Sequence, residues 1–166
     1  MIIVYKSNTG FTKEYAEMLG RAEKLRVTAL EDTGGLPKET EVLFLGPLMA
    51  GHISGLDTIM KRCTVKAVCG VGITPPSREV LLSLSKANYV GQAPIFYLQG
   101  GWAPKKVGWI KRRMVGMATK SMREDLQKKF KRTPEEQRFL DFLIQGGSYV
   151  AYQNLEPLQA WLKEQG

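Results

Sequence analysis

The residues with the clearest chemical use are Ser7-Asn8-Thr9-Gly10-Phe11-Thr12. They follow a short apolar run, Ile2 to Lys6, and precede a segment whose Tyr15, Met18 and Leu19 share one helical face. The spacing therefore predicts a loop that joins a strand to the N-terminus of a helix. A bound phosphate needs N–H donors without partners, and a first helical turn supplies them with a dipole that favours an anion. Ser7, Thr9 and Thr12 add hydroxyls, and Gly10 permits a positive φ or a close backbone approach. The Gly-Lys-Ser/Thr ending of a Walker A loop is absent, as is the three-glycine dinucleotide fingerprint. Gly70-Val71-Gly72 is a lone pair of glycines at a strand end. A capped turn with no ligand would use the same residue types as the phosphate loop.

The other reactive side chains offer less. His52 is the only histidine. It reads either as a hydrogen-bonding or proton-shuttling group or as a loop residue without a role. With no carboxylate cluster beside it, no metal site is expected. Cys63 and Cys69 form no C-x-x-C motif, and Cys69 lies in an apolar run where it reads as core. No Ser-His-Asp constellation can be assembled, so no catalytic acid or base is assigned. Two cysteines point to a reducing compartment. The opening Met-Ile-Ile-Val-Tyr-Lys lacks a basic lead-in, and its apolar run is short for a signal peptide. Val42 to Gly51 is the longest nearly apolar stretch and falls far short of the ~20 residues that span a bilayer. A cytoplasmic location is expected.

The elements that must hold the loop can be read along the chain. A length of 166 residues fits one domain, and 43% hydrophobic with 24% charged residues excludes a disordered chain. Strands are expected over Ile2 to Lys6, Leu25 to Leu30, Val42 to Gly46, Val65 to Val71 and Pro94 to Leu98. Helices are expected over Thr12 to Arg21, Leu56 to Arg62, and from a Ser77 cap to about Ala87. Glu31 to Thr40 and Pro47 to Gly55 read as loops. Strands alternating with helices give an α/β fold, a doubly wound parallel sheet of five strands covered on both faces. Beyond Leu98 the pattern changes. Gln99-Gly100-Gly101-Trp102 is a turn, and Trp109 to about Lys131 is a basic helix broken near Lys120. Thr133-Pro134-Glu135-Glu136 starts a helix that ends at Gly146-Gly147. Ser148 to Tyr152 is strand-like, and Asn154 caps a last helix through Leu158, Trp161 and Leu162.

The formal charge is +8. Trp102 to Arg132 holds 11 basic and 2 acidic residues, or +9, which leaves 13 basic against 14 acidic elsewhere, or −1. On a helical wheel Ile110, Met114, Met117, Ala118, Met122 and Leu126 fall on one side. Arg112, Arg113, Lys120 and Arg123 fall on the other, with Lys111, Ser121 and Asp125 as exceptions on the apolar side. Such a helix docks on an anionic membrane or a hydrophobic partner, or packs its Met face on its own core. Nucleic acid is disfavoured, because aromatic and basic residues are not interleaved on a recognisable module.

Directly after the first strand, Ser7-Asn8-Thr9-Gly10-Phe11-Thr12 resembles the flavodoxin phosphate loop, Ser/Thr-x-Thr-Gly-x-Thr, and the order of the five strand-like runs is similar to a flavodoxin. More narrowly, Ala50-Gly51-His52 and Gln99-Gly100-Gly101 resemble the flavodoxin-like group that includes menaquinone-dependent protoporphyrinogen oxidase. The resemblance implies FMN, bound noncovalently at the carboxyl ends of the strands. Ser7, Asn8, Thr9, Gly10, Phe11 and Thr12 would hold its phosphate. Pro47, Leu48, Met49, Ala50, Gly51 and His52, with Thr74, Pro75 and Pro76, would flank the isoalloxazine, and Gly100, Gly101 and Trp102 would border it. Two features depart from ordinary flavodoxins: Pro47 to Ile53 has no Tyr or Trp, and the chain is basic. By analogy with long-chain flavodoxins, Pro94 to Leu98 and Ser148 to Tyr152 would be halves of one fifth strand, interrupted by a basic helical insertion at about 99–147. The implied function is electron transfer through FMN. An FMN oxidoreductase acting on a quinone or a porphyrinogen-like substrate is the alternative, and a non-redox binding module without cofactor is a third reading. Expected partners are a redox protein or a quinone- or porphyrin-like substrate, with an anionic membrane surface met through residues 102–132. The expected location is cytoplasmic, peripheral at the membrane.

Overall fold

The computed structural model describes residues 1–165. They form two compact units, one from Met1 to Gly100 completed by the C-terminal segment from Val150, the other Gly101–Tyr149.

In the first unit the chain runs β1 (Ile2–Tyr5), α1 (Phe11–Glu23), β2 (Val27–Ala29), β3 (Glu41–Met49), β4 (His52–Ile53), α2 (Leu56–Arg62), β5 (Thr64–Gly72), α3 (Arg78–Ala87) and β6 (Ile95–Gln99). Five strands are parallel in the order β2-β1-β3-β5-β6. The apolar run of β3 is continuous because both of its faces are covered. Val42 and Phe44 pack with Val4, Leu56, Ile59 and Leu84. Their neighbours Leu43 and Leu45 point the other way and pack with Ile3, Tyr15, Leu19 and Leu158. Truncating Leu43 to Ala would cost about 2–5 kcal/mol, given full burial.

The segment expected to be a loop from Pro47 to Gly55 is mostly ordered strand. β3 continues to Met49 and returns as β4, pairing Leu48 with Ile53 and Met49 with His52. Ala50 (φ +50°) and Gly51 (φ +82°) form the two-residue turn. Positive φ at both positions gives a turn whose twist matches the strands. Asn88, just after α3, clamps the hairpin. Its Oδ1 accepts from the Ile53 N–H at 2.8 Å, and its Nδ2 donates to the carbonyls of Gly51 and Leu84. Ser77 caps α3 by accepting from the Val80 N–H.

The second unit holds β7 (Gly101–Trp102), α4 (Trp109–Ala118), α5 (Lys120–Lys128), α6 (Pro134–Gln145) and β8 (Gly147–Ser148). The basic segment does break where expected: Thr119 turns its hydroxyl back to the Val115 carbonyl at 2.8 Å, and α5 starts afresh. Thr133 and Glu136 form a reciprocal cap on α6. Leu140, Phe142 and Leu143 are buried, and Phe139, Phe142 and Tyr149 form an aromatic cluster.

Two expectations fail near the end of the chain. Ser148 to Tyr152 supplies no second half to the strand at 95–99. Gly147–Ser148 pairs antiparallel with Gly101–Trp102, while Tyr149 turns edge-on to Phe142. Tyr152–Leu155 then makes a 3-10 turn before α7 (Glu156–Gln165). Asn154 therefore lies within that turn, and its Nδ2 donates to the Tyr15 hydroxyl.

Candidate functional site

β1 lies between β2 and β3 in the sheet, so the chain leaves its carboxyl end toward one side and later returns on the other. Open α/β sheets bind ligands outside the carboxyl ends of the strands at such a switch point. The loop Lys6–Gly10 occupies this place, between β1 and α1. Gly10 is the N-cap residue, with φ +103°. An added Cβ would be strained by that backbone although it would meet nothing within 4 Å. The space above Gly10 is open. Its N–H donates to the Ser7 Oγ at 3.0 Å, and its carbonyl accepts from Glu14 to start the helix. The first-turn N–H groups, on Phe11, Thr12 and Lys13, have no acceptor within the helix. Asn8 and Gly10 are exposed, Ser7 and Thr9 half-buried, and Thr12 buried.

Neighbouring strand ends converge on this loop. The Asn8 amide lies 4.0 Å from the Met49 sulfur, which brings the β3–β4 hairpin beside it. A Cβ on Gly100 would fall 3.8 Å from the Phe11 Cβ, so the end of β6 also borders it. The Gly100 N–H donates to the Gly72 carbonyl at 2.7 Å and joins the ends of β5 and β6. The segment after β5 is held from β6. The Tyr97 hydroxyl donates to the Thr74 carbonyl at 2.6 Å, and the Gln99 side-chain amide donates to Ile73 at 3.1 Å. Pro75 and Pro76 are exposed beyond those two anchors. Burial raises the pKa of the Tyr97 and Tyr15 hydroxyls, so both remain neutral donors.

Not every expected residue joins this cluster. Gly101 and Trp102 belong to the second unit, where they pair with Ser148 and Gly147. Pro47 and Leu48 are half-buried in β3, and Ala50, Gly51 and His52 are exposed on the hairpin. Two cavities open on the hairpin's other flank, against α2 and α3. One of about 530 Å³ includes His52, Asp57, Lys61 and Tyr89, and one of about 240 Å³ includes Leu48, Gly51 and Glu79. Neither includes Ser7 to Thr12. The sequence places Tyr15 on a helix face and Gln99 in a turn but gives neither of them, nor Asn88 or Tyr97, the task of fixing the loops that they carry here. Their only local signal was a polar group inside an otherwise apolar run or helix face.

Cys63 and Cys69 are both buried free thiols, and burial raises the pKa of each. Among the described residues no group of three or more His, Cys, Asp or Glu is placed to hold a metal ion. Among them, too, no helix is long and apolar enough to cross a membrane.

A phosphate group fits what is present: an open approach over Gly10, first-turn N–H groups with no acceptor inside the helix, and the hydroxyls of Ser7, Thr9 and Thr12. No family model matches the chain, and no curated protein matches it; the narrower resemblance to the protoporphyrinogen oxidase group finds no support. Among solved structures the chain is similar to a flavodoxin from the domain Archaea, at 13% identity and a TM-score of 0.34, over 73% of this chain and 96% of that one.

Proposed function

We propose that the protein binds FMN noncovalently at the carboxyl ends of β1, β3 and β5 and passes electrons through it. The observation that carries this reading is the Ser7–Thr12 loop at the switch point, with Gly10 at φ +103° beneath open space. The flavin supplies the redox chemistry when bound. The chain's own residues do the rest. The N–H groups of the first turn of α1 and the hydroxyls of Ser7, Thr9 and Thr12 hold a dianion without a basic side chain, aided by the helix dipole. Met49 on the hairpin and the Thr74-Pro75-Pro76 segment flank the ring. Tyr97 and Gln99 keep the latter in place through their bonds to Thr74 and Ile73. Electron transfer requires no acid or base, and no catalytic side chain is assigned. The second unit carries twelve Lys and Arg against five Asp and Glu, or +7, and selects for an anionic partner.

The test is reconstitution. FMN added to the purified, flavin-stripped chain should bind one to one, with a perturbed visible spectrum, and should be reduced and reoxidised while bound. A chain that leaves added FMN free in solution ends this reading.

A further inference from the structure

We infer that the second unit docks on an anionic phospholipid bilayer, placing Phe130 and the Ile110–Met114–Met117 stripe of α4 among the lipids. This goes beyond flavin binding and does not depend on it.

The Met-bearing face divides at Thr119: Met122 and Leu126 on α5 are half-buried, while Ile110, Met114 and Met117 on α4 are exposed. No residue of α4 is buried. Trp109, Ile110, Met114 and Met117 are 71, 57, 51 and 68% exposed. At the helical repeat Ile110, Met114 and Met117 line one narrow stripe, flanked by Arg113 on one side and Lys111 on the other, both exposed. An apolar stripe bordered by long basic side chains is the pattern of a helix lying in the membrane interface.

A second feature of the same unit repeats the chemistry. Between α5 and α6 the chain reads Lys128-Lys129-Phe130-Lys131-Arg132, and the Phe130 side chain is fully exposed. The backbone around it is braced. The Arg132 guanidinium donates to the Leu126 carbonyl at 2.9 Å and to the Gln137 side chain at 2.8 Å, and the Lys129 ammonium pairs with Glu136. The aromatic ring is thus presented on a held loop, between the exposed ammonium groups of Lys128 and Lys131.

The charge decides the occupant. The unit carries +7, and Glu124 and Glu136 are already paired with Lys120 and Lys129. The Ile110–Met114–Met117 stripe and the Phe130 tip are both flanked by exposed basic side chains. The two cavities beside the β3–β4 hairpin are lined by residues of the first unit alone. A fluid bilayer needs no shaped pocket, accepts aliphatic and aromatic groups, and rewards basic flanks when its headgroups are anionic. Nucleic acid would satisfy the charges and leave the Ile-Met stripe without a partner.

The experiment is co-sedimentation of the full chain with vesicles of phosphatidylglycerol plus phosphatidylcholine, and of phosphatidylcholine alone, at low and high salt. Binding is expected to the anionic vesicles at low salt, weakening as salt screens the headgroups. Phe130→Ser should lower the partition coefficient about tenfold or more, and Lys128→Ala or Lys131→Ala roughly fivefold each. Ile110→Ser with Met114→Ser should weaken binding comparably to Phe130→Ser. All of these side chains are exposed, so an unchanged circular dichroism spectrum should accompany each loss. Three results would overturn the inference: no sedimentation with the anionic vesicles at low salt, binding that the Phe130 and Ile110/Met114 variants leave intact, or tighter retention on a DNA duplex than on the vesicles at equal salt.

Discussion

The Tyr15 hydroxyl donates to the Gln99 main-chain carbonyl at 2.6 Å while accepting from the Asn154 amide at 2.6 Å. One buried hydroxyl thereby ties α1, just past the phosphate loop, to the end of β6 and to the turn before α7. Tyr15 is fully buried. Tyr15→Phe keeps the ring and leaves the Gln99 carbonyl without this donor, so it should cost about 1–3 kcal/mol in denaturant unfolding. FMN affinity should fall with it, because the helix that presents the phosphate donors loses an anchor. An unchanged unfolding midpoint would remove the clamp from the account.

Gly10 and Ser7 separate backbone shape from hydrogen bonding. Gly10→Ala forces a Cβ onto a φ of +103°, with open space around it, so its cost is conformational and should be about 1–3 kcal/mol. Ser7→Ala removes the acceptor of the Gly10 N–H in a half-exposed loop and should barely move stability. Both variants should weaken FMN binding, Ser7→Ala by about tenfold, measured by fluorescence titration against the parent chain.

Stability should fall in alkali. Burial raises the hydroxyl pKa of Tyr15 and Tyr97 in the folded chain above the ordinary 10.0. Their contribution is fully present below pH 10 and is lost as pH climbs from there through the folded-state values. In that window the unfolded chain gives up these protons first. The fall should reach up to about 1.4 kcal/mol per pH unit for each tyrosine. Denaturant midpoints measured on either side of pH 10 should show it, and Tyr97→Phe should flatten it. A slope that Tyr97→Phe leaves unaltered would assign the alkaline loss to other groups.

The two thiols should be inert. Cys69 is fully buried, Cys63 nearly so, and burial raises both pKa values, with the neighbouring Arg62 pulling Cys63 weakly the other way. Iodoacetamide near neutral pH should label neither cysteine in the native chain and both after denaturation. Rapid native labelling of Cys63 would mean that the packing around α2 opens.

What could be read from the residues was local. Ser77 and Thr133 announce caps because a cap needs only its own helix's N–H groups. Val42 to Leu45 announces a doubly covered strand because burial on both faces leaves no alternation. The β3–β4 hairpin was hidden. Pro47 and Gly51 signal a loop, while Ala50 at φ +50° carries no turn signal at all. Ser148 to Tyr152 has strand-like composition, yet Tyr149 finds its packing in the Phe139–Phe142 cluster. Propensity for strand reflects a fit to neighbours, and here the neighbours are on a helix. In the site, the strand–loop–helix placement of Ser7 to Thr12 was legible. The side chains that hold the surrounding loops, Tyr15, Asn88, Tyr97 and Gln99, act across long sequence separations and could not be paired from spacing.

The most direct test compares FMN with riboflavin, which differ only in the phosphate, by equilibrium titration of the same flavin-stripped chain. Charge-assisted bonds from the Ser7–Thr12 loop to a dianion should make FMN bind about a hundredfold more tightly. Equal affinities for the two flavins would contradict a phosphate seat in this loop.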